Sequence, residues 1–308
     1  MRRTMNHVAA AAVFAAAGCS SSLFEPAPPV AYPEVRVAMR FGGGLPLVEA
    51  TLPGDAHAWF LIDTGVGNFT LLSEERSRAL KLKHDVVHDP LLPSMQFQAE
   101  LERLEIDGLG RRKVRVYVTD ALTGRDELSD LGVPVEGVVG TGFFRDHCLF
   151  FDWRKGEFTA TFARNRQPRQ IPIPLRIGIA GDLHATVRLN GKTAEALIDT
   201  GSAETLVAQE FADSIGLRYD HGKVAVTMET SIGTAATRDG EIDLLTLGSE
   251  QLAKVPATIV ERRLPNADLV LGTELLSRYG VILDLGTPPY LVLDPVEGGL
   301  VPDSAPKQ

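Results

Sequence analysis

The sequence predicts an all-β protein with a few short helices, built twice over in one chain. Three observations predict it. The signature Leu61-Ile62-Asp63-Thr64-Gly65 returns as Leu197-Ile198-Asp199-Thr200-Gly201. A second block, Gly137-Val138-Val139-Gly140-Thr141, returns as Leu269-Val270-Leu271-Gly272-Thr273. Between these blocks the chain alternates in runs of strand length, about 5–6 residues, with turn signals at close intervals, as in barrels and sandwiches.

An internal repeat outranks other sequence signals. The first half opens with Leu47 to Leu52, a strand running into the Pro53-Gly54 turn, and Trp59 to Ile62 is a second strand ending at Asp63. The second half opens with Leu183 to Leu189, the hairpin signal Asn190-Gly191, and Ala194 to Ile198 running into Asp199. Each signature is followed by a short helical pattern, Ser73 to Leu82 and Ala208 to Ile215. Alternating strands come next: Leu104 to Gly108 and Val114 to Val118 in the first half, Ile242 to Leu247 and Val255 to Val260 in the second.

After Gly140 and Gly272 come helical turns, Gly142 to His147 and Glu274 to Tyr279. Each leads into an apolar strand ending in aspartate, Leu149 to Asp152 and Val281 to Asp284. The offset is 132 residues both from Gly140 to Gly272 and from Asp152 to Asp284, so this block repeats without a gap. The stretch from Arg164 to Gln170 reads as the linker between halves.

The bulk properties agree. A length of 308 residues suits two domains, and 44% hydrophobic with 23% charged residues is ordinary for a globular chain. A net charge of −9 argues against a nucleic-acid partner, which would demand clustered Lys and Arg. The short basic runs Arg111-Arg112-Lys113 and Arg164 to Arg169 read as solvated turns. No phosphate loop, dinucleotide fingerprint, Gly-x-Ser-x-Gly or His-Glu-x-x-His motif is present. His84 and His88, beside Asp85 and Asp89, lack a third ligand at metal-site spacing and run straight into Pro90, so no metal is assigned.

The N-terminus reads as a targeting segment. Met1-Arg2-Arg3 is a positive leader, and Val8 to Ala17 is apolar but too short to span a bilayer. Ala16-Ala17-Gly18-Cys19 then resembles a bacterial lipoprotein processing site, with Ala16 where leucine is usual. That resemblance implies lipidation at Cys19, and Ser20 favours the outer membrane, facing the periplasm. Residues 20–34, rich in Ser and Pro, read as a tether. Of the two cysteines in the chain, Cys148 then stands alone in an apolar context and reads as a buried small hydrophobe.

Asp63 and Asp199 are the candidate chemistry. One aspartate before a Thr-Gly turn is ordinary. Two, on two similar halves, can face one another, and a facing pair of carboxylates can share a proton and activate water. Each half resembles a retropepsin-like aspartic peptidase domain, on the aliphatic-aliphatic-Asp-Thr-Gly signature and the aliphatic-aliphatic-Gly block about one domain length later. The resemblance covers residues 35–295.

It implies two closed β-barrel lobes about a pseudo-two-fold axis, 35–166 and 167–295, after a 1–19 signal segment and before a 296–308 tail. It implies an aspartic endopeptidase with Asp63 and Asp199 as its dyad. Thr64 and Thr200 would cross-link the two loops through their hydroxyls. Gly65 and Gly201 would allow the tight turn and the approach to the carboxylates. Gly140 and Gly272 form the downstream signature.

Ser202 stands where it can hydrogen-bond the second carboxylate, whereas Val66 cannot do so for the first. Met228 to Thr237, with Gly233 at its tip, reads as a flap hairpin. Its counterpart, Val87 to Gln98, carries Pro90 and Pro93 and no glycine. Phe69, Phe143 and Phe144 are candidates for the lip of the cleft or for core. No metal or organic cofactor is implied, the expected partners are a peptide or protein substrate and a membrane, and a monomer suffices. The rival reading is a non-catalytic envelope module that binds peptides or a protein partner between the lobes.

Overall fold

The computed structural model describes residues 35–42, 44–88, 96–120, 122, 134–145, 147–162, 171–220, 227–230, 233–264 and 266–295. The signal segment, Cys19, the tether, the Arg164 to Gln170 linker and the C-terminal tail lie outside these residues, as do residues 89–95 of the first expected flap and 231–232 of the second.

Each half closes a six-stranded barrel. In the first lobe the order is Leu45–Leu52, Ala56–Ile62, Val135–Val139, Thr70–Ser73, Leu109–Thr119 and Phe97–Ile106, returning to the first strand at the pair Thr51 and Glu105. In the second lobe Leu183–Leu189, Lys192–Ile198, Leu269–Leu271, Leu206–Ala208, Glu250–Val260 and Gly233–Leu247 follow the same order, closing at Arg188 with Thr246 and Leu189 with Leu245. Closure removes the free sheet edges that would invite aggregation.

The residues explain the roles of the strands. Phe97–Ile106 and Leu183–Leu189 alternate buried and exposed positions along most of their length, as strands do with one face on a core. Val135–Val139 is a near-continuous apolar run because it lies inside the sheet. It pairs parallel with Ala56–Ile62 on one side and antiparallel with Thr70–Ser73 on the other. Leu269–Leu271 sits likewise between Lys192–Ile198 and Leu206–Ala208. In both lobes the downstream glycine block thus threads between the strands that flank the Asp-Thr-Gly loop.

Turn chemistry sets the hairpins. Asn190 and Gly191 have φ of 47° and 83°, the paired left-handed conformation that matches strand twist. Asp107 and Gly108 repeat it at 44° and 88°. Arg111-Arg112-Lys113 lies within the Leu109–Thr119 strand and not in a turn, because Arg111 and Arg112 pair with Leu104 and Arg103 on the neighbouring strand, and Arg111 Nε donates to the Phe143 carbonyl at 3.0 Å.

The helices are shorter than the pattern suggests. Glu74–Ala79 is capped by the Ser73 hydroxyl, which accepts from the Arg76 amide at 3.1 Å. It ends because Lys81 takes φ of 53°, letting Leu82 N donate back to Ser77 O. Gln209–Ser214 ends the same way at Gly216, where Leu217 N donates to Ala212 O.

A six-stranded antiparallel sheet joins the lobes. Its order is Val35–Ala38, Glu157–Phe162, His147–Asp152, Tyr279–Asp284, Tyr290–Pro295 and Ile173–Ile177. At its centre Phe150 pairs with Ile282, and Cys148 with Asp284. Phe150 and Ile282 are 132 residues apart, the repeat offset itself, so the pseudo-two-fold axis passes through this pair. Cys148 is buried against Ile282 and Val292, as expected of a small hydrophobe.

One continuous apolar core runs through both lobes and this sheet. Phe143 and Phe144 belong to that core, not to a lip. Their short 3-10 turn faces inward, and Phe144 stacks edge-on against Phe143 and Phe158 with ring centroids at 5.1 and 5.3 Å.

Tyr279, at the start of a central strand of this sheet, reports on its integrity. Burial first, and then the Glu250 carboxylate, push its hydroxyl from 10.0 up to about 12. A folded value above the unfolded one gives stability that is present below pH about 10 and is lost as pH rises toward 12. Tyr279→Phe is expected to flatten the alkaline decline of the melting temperature across that window, measured by circular dichroism.

Candidate active site

Two strand ends deliver the two aspartates. Asp63 follows Ala56–Ile62 and its amide donates to Val139 O at 3.0 Å. Asp199 follows Lys192–Ile198 and its amide donates to Leu271 O at 3.1 Å. Each loop is thereby pinned by the downstream block of its own lobe.

The two loops then grip one another. Thr64 Oγ1 donates to the Ile198 carbonyl at 2.7 Å and accepts from the Thr200 amide at 3.1 Å. Thr200 Oγ1 donates to the Ile62 carbonyl at 2.7 Å and accepts from the Thr64 amide at 3.1 Å. Both threonines are buried, at 1% and 0% exposure, so water does not compete for these four bonds.

Reciprocity extends to the carboxylates. A Cβ on Gly65 would lie 2.5 Å from the Asp199 carboxyl carbon, and one on Gly201 would lie 2.1 Å from that of Asp63. Each glycine therefore faces the carboxylate of the opposite lobe, and the two carboxylates occupy one site. Both aspartates are half-buried. Asp63 Oδ1 accepts from the Val66 amide at 3.0 Å, and Asp199 Oδ1 from the Gly201 amide at 2.7 Å. The Val66 side chain is thus no obstacle, since the backbone supplies the donor.

Ser202 departs from expectation. Its hydroxyl donates to the Glu204 carbonyl at 3.0 Å, so its one proton is spent within the loop and not on Asp199. Gly140 and Gly272 are tightly enclosed. A Cβ on either would lie 2.0 Å from Gly67 O or 2.2 Å from Glu204 O, so only glycine lets these turns pack under the aspartate loops.

The surroundings differ between lobes. Phe69 is half-buried and meets Tyr117 edge-on at 5.3 Å, so of the three phenylalanines it alone lies beside the aspartate loop outside the main core. The second flap is a hairpin in which Thr227–Thr230 pairs with the start of Gly233–Leu247, from Thr227 with Ala236 to Thr230 with Gly233. In the first lobe the arms of the corresponding hairpin pair at Asp85 with Gln98 and Val86 with Phe97. His84 is engaged by the Ser77 hydroxyl at 2.7 Å.

Sequence reasoning missed one contact region. The turn from Gly178 to Asp182, at the entry to the second barrel, docks on the first lobe. Asn68 N donates to Ala180 O at 2.6 Å and Thr141 Oγ1 to Gly181 O at 2.8 Å. Two glycines within five residues were the available signal. Nothing in the sequence told that their partner was the loop after Asp63.

Residues 185–275 match the model of a family described as aspartyl protease. Among solved structures, the chain is similar to basic 7S globulin from soybean, with a TM-score of 0.49 and 12% identity over 84% of this chain and 94% of that one. It is also similar to a retropepsin-like aspartic protease from Rickettsia conorii, with a TM-score of 0.34 and 16% identity over 40% of this chain and all of that one. No curated protein sequence matches.

Proposed function

We propose that this retropepsin-like chain, with two aspartic peptidase lobes in one polypeptide, is an aspartic endopeptidase whose dyad is Asp63 and Asp199. The observation that carries the reading is the reciprocal threonine grip, which brings each carboxylate against the glycine of the other loop. Two carboxylates in one site do not both ionise readily, so the pair holds one proton. The ionised member takes a proton from a water held between them as that water attacks the peptide carbonyl. The protonated member donates to the carbonyl oxygen. A tetrahedral intermediate forms without a covalent adduct, and its collapse returns a proton to the leaving amine.

Because both half-sites lie on one chain, a monomer is sufficient, and the reaction needs only water and the two carboxylates. Peptide or protein is the substrate class. The segment ending at Cys19 supports a lipid-anchored protein of the cell envelope, facing the periplasm.

Digestion of a mixed peptide library in ¹⁸O-water, from pH 3 to 8, tests the reading. It predicts ¹⁸O in the new carboxyl ends and a bell-shaped pH dependence. Binding of peptides without cleavage at any pH, by folded protein, replaces the enzyme with a peptide-binding module. The glycines give a second check. Gly65→Ala and Gly201→Ala push the facing carboxylate aside and are expected to lower kcat/KM by about 100-fold, since a displacement near 1 Å has that cost.

A further inference from the structure

The two barrels share one strand order and differ sharply in polarity at one pair of buried positions. Leu47 stands across from Leu61, two residues before Asp63, and His184 stands across from Leu197, two residues before Asp199. The pseudo-two-fold therefore matches Leu45 and Leu47 in the first lobe with Asp182 and His184 in the second. The leucines are fully buried. So is His184, at 0% exposure, and Asp182 is buried at 7%. A buried hydrogen-bonded polar pair where the other lobe has an apolar pair is not explained by stability, because replacing both partners with apolar groups is often nearly neutral.

The pair is linked to the candidate dyad. His184 Nε2 hydrogen-bonds Asp182 Oδ2. A carboxylate only accepts, so the proton is on Nε2. The Asp182 carboxyl lies below its ordinary value: burial pushes it up, and His184 with the backbone amides of Ala180 and Asp182 pulls it further down. The Asp182 carboxylate fills the inside of the turn, where a Cβ on Gly178 would stand 2.3 Å from Oδ1, and the Ala180 carbonyl of that turn takes the Asn68 amide, five residues past Asp63. Gly67 lies against the same carbonyl, since a Cβ there would stand 2.3 Å from it.

We propose that Asp182 and His184 are a positioning pair that holds the Asp63 loop in its reactive placement through the turn from Gly178 to Asp182. This rests on the reading of Asp63 as half of the dyad. His184 Nδ1 has no hydrogen-bond partner and faces Glu195 Oε1 at 3.8 Å. Glu195 is held by Arg176, which lies directly across from His184 on Ile173–Ile177. Asp182, Glu195 and Arg176 are the charged groups around the imidazole.

Replacing the pair with the residues of the first lobe, Asp182→Leu with His184→Leu, tests this in the full-length chain. The expected variant folds, its Asn68 amide exchanges at least about tenfold faster, and the amides of the second barrel keep their protection. Its kcat falls about 10- to 100-fold with KM within twofold. His184→Gln, which keeps an N–H for Asp182, restores both. Unchanged Asn68 exchange together with unchanged kcat in the double-leucine variant overturns the proposal. If that variant does not fold, Asp182→Asn is read instead: faster Asn68 exchange supports the pair and unchanged exchange overturns it. A wild type that cleaves nothing removes the peptidase reading, and Asn68 exchange still decides the pair.

Discussion

Thr64→Val and Thr200→Val are each expected to destabilise the protein by about 2–6 kcal/mol. Thr64→Val leaves the Ile198 carbonyl and the Thr200 amide without partners, and both are buried at the junction of the lobes. Thr200→Val does the same to the Ile62 carbonyl and the Thr64 amide. An unsatisfied buried polar group costs about 1–3 kcal/mol, and each substitution makes two. A domain of this kind has about 5–15 kcal/mol in all, so either variant consumes a large share of it. The four bonds form one network, so the double variant should fall short of the sum. Serine keeps the hydroxyl, and Thr64→Ser should recover most of the loss. Urea unfolding followed by circular dichroism measures all four proteins.

Asp63→Asn and Asp199→Asn are each expected to lower peptide hydrolysis by at least about 10²–10⁴-fold, the usual worth of a positioned acid or base. An amide neither takes the proton from water nor gives one to the carbonyl oxygen. The fold should survive, because an asparagine oxygen still accepts from the Val66 or Gly201 amide. If the pair acts as one unit, the double variant is no slower than either single one. Rates that multiply would mean two independent carboxylates.

The acid side bears on how such assays are run. Asp182 has a carboxyl below its ordinary value of 3.8. A depressed folded value gives stability that is present above pH about 3.8 and is lost as pH falls through the folded value. Asp182→Asn should lack that acid-side loss in a melting series from pH 5 to 2. Activity measured at pH 3 therefore needs a folding control at the same pH.

Much of this molecule is legible in the sequence because its constraints are local and repeated. The Asp-Thr-Gly turns need a small residue that a neighbouring carboxylate can approach, and the downstream glycines need room under a backbone carbonyl. Such positions announce themselves as residue types. The offset of 132 shared by Gly140 and Gly272 and by Asp152 and Asp284 marks the repeated block, and the fold shows the two copies of its strand meeting at Phe150 and Ile282.

What escaped is set either by competing local conformations or by partners distant in the chain. The Ser202 hydroxyl had an acceptor in its own loop. Phe143 and Phe144 point inward because of a turn whose facing a pattern of apolar residues does not encode. Lys81 in a left-handed conformation ends the first helix where the second uses Gly216, so the residue type gave no warning. The Asp182 and His184 pair looks like ordinary strand-entry polarity until the turn is seen against Asn68.

The central claim is that two carboxylates from two lobes make one hydrolytic site. The most direct test compares residues 20–308 of the wild type with Asp199→Asn on one peptide library from pH 3 to 8, with folding verified for both. The account predicts cleavage by the wild type and none by the variant at every pH. Equal cleavage by both proteins would contradict it, because the reaction would then owe nothing to the second lobe's aspartate.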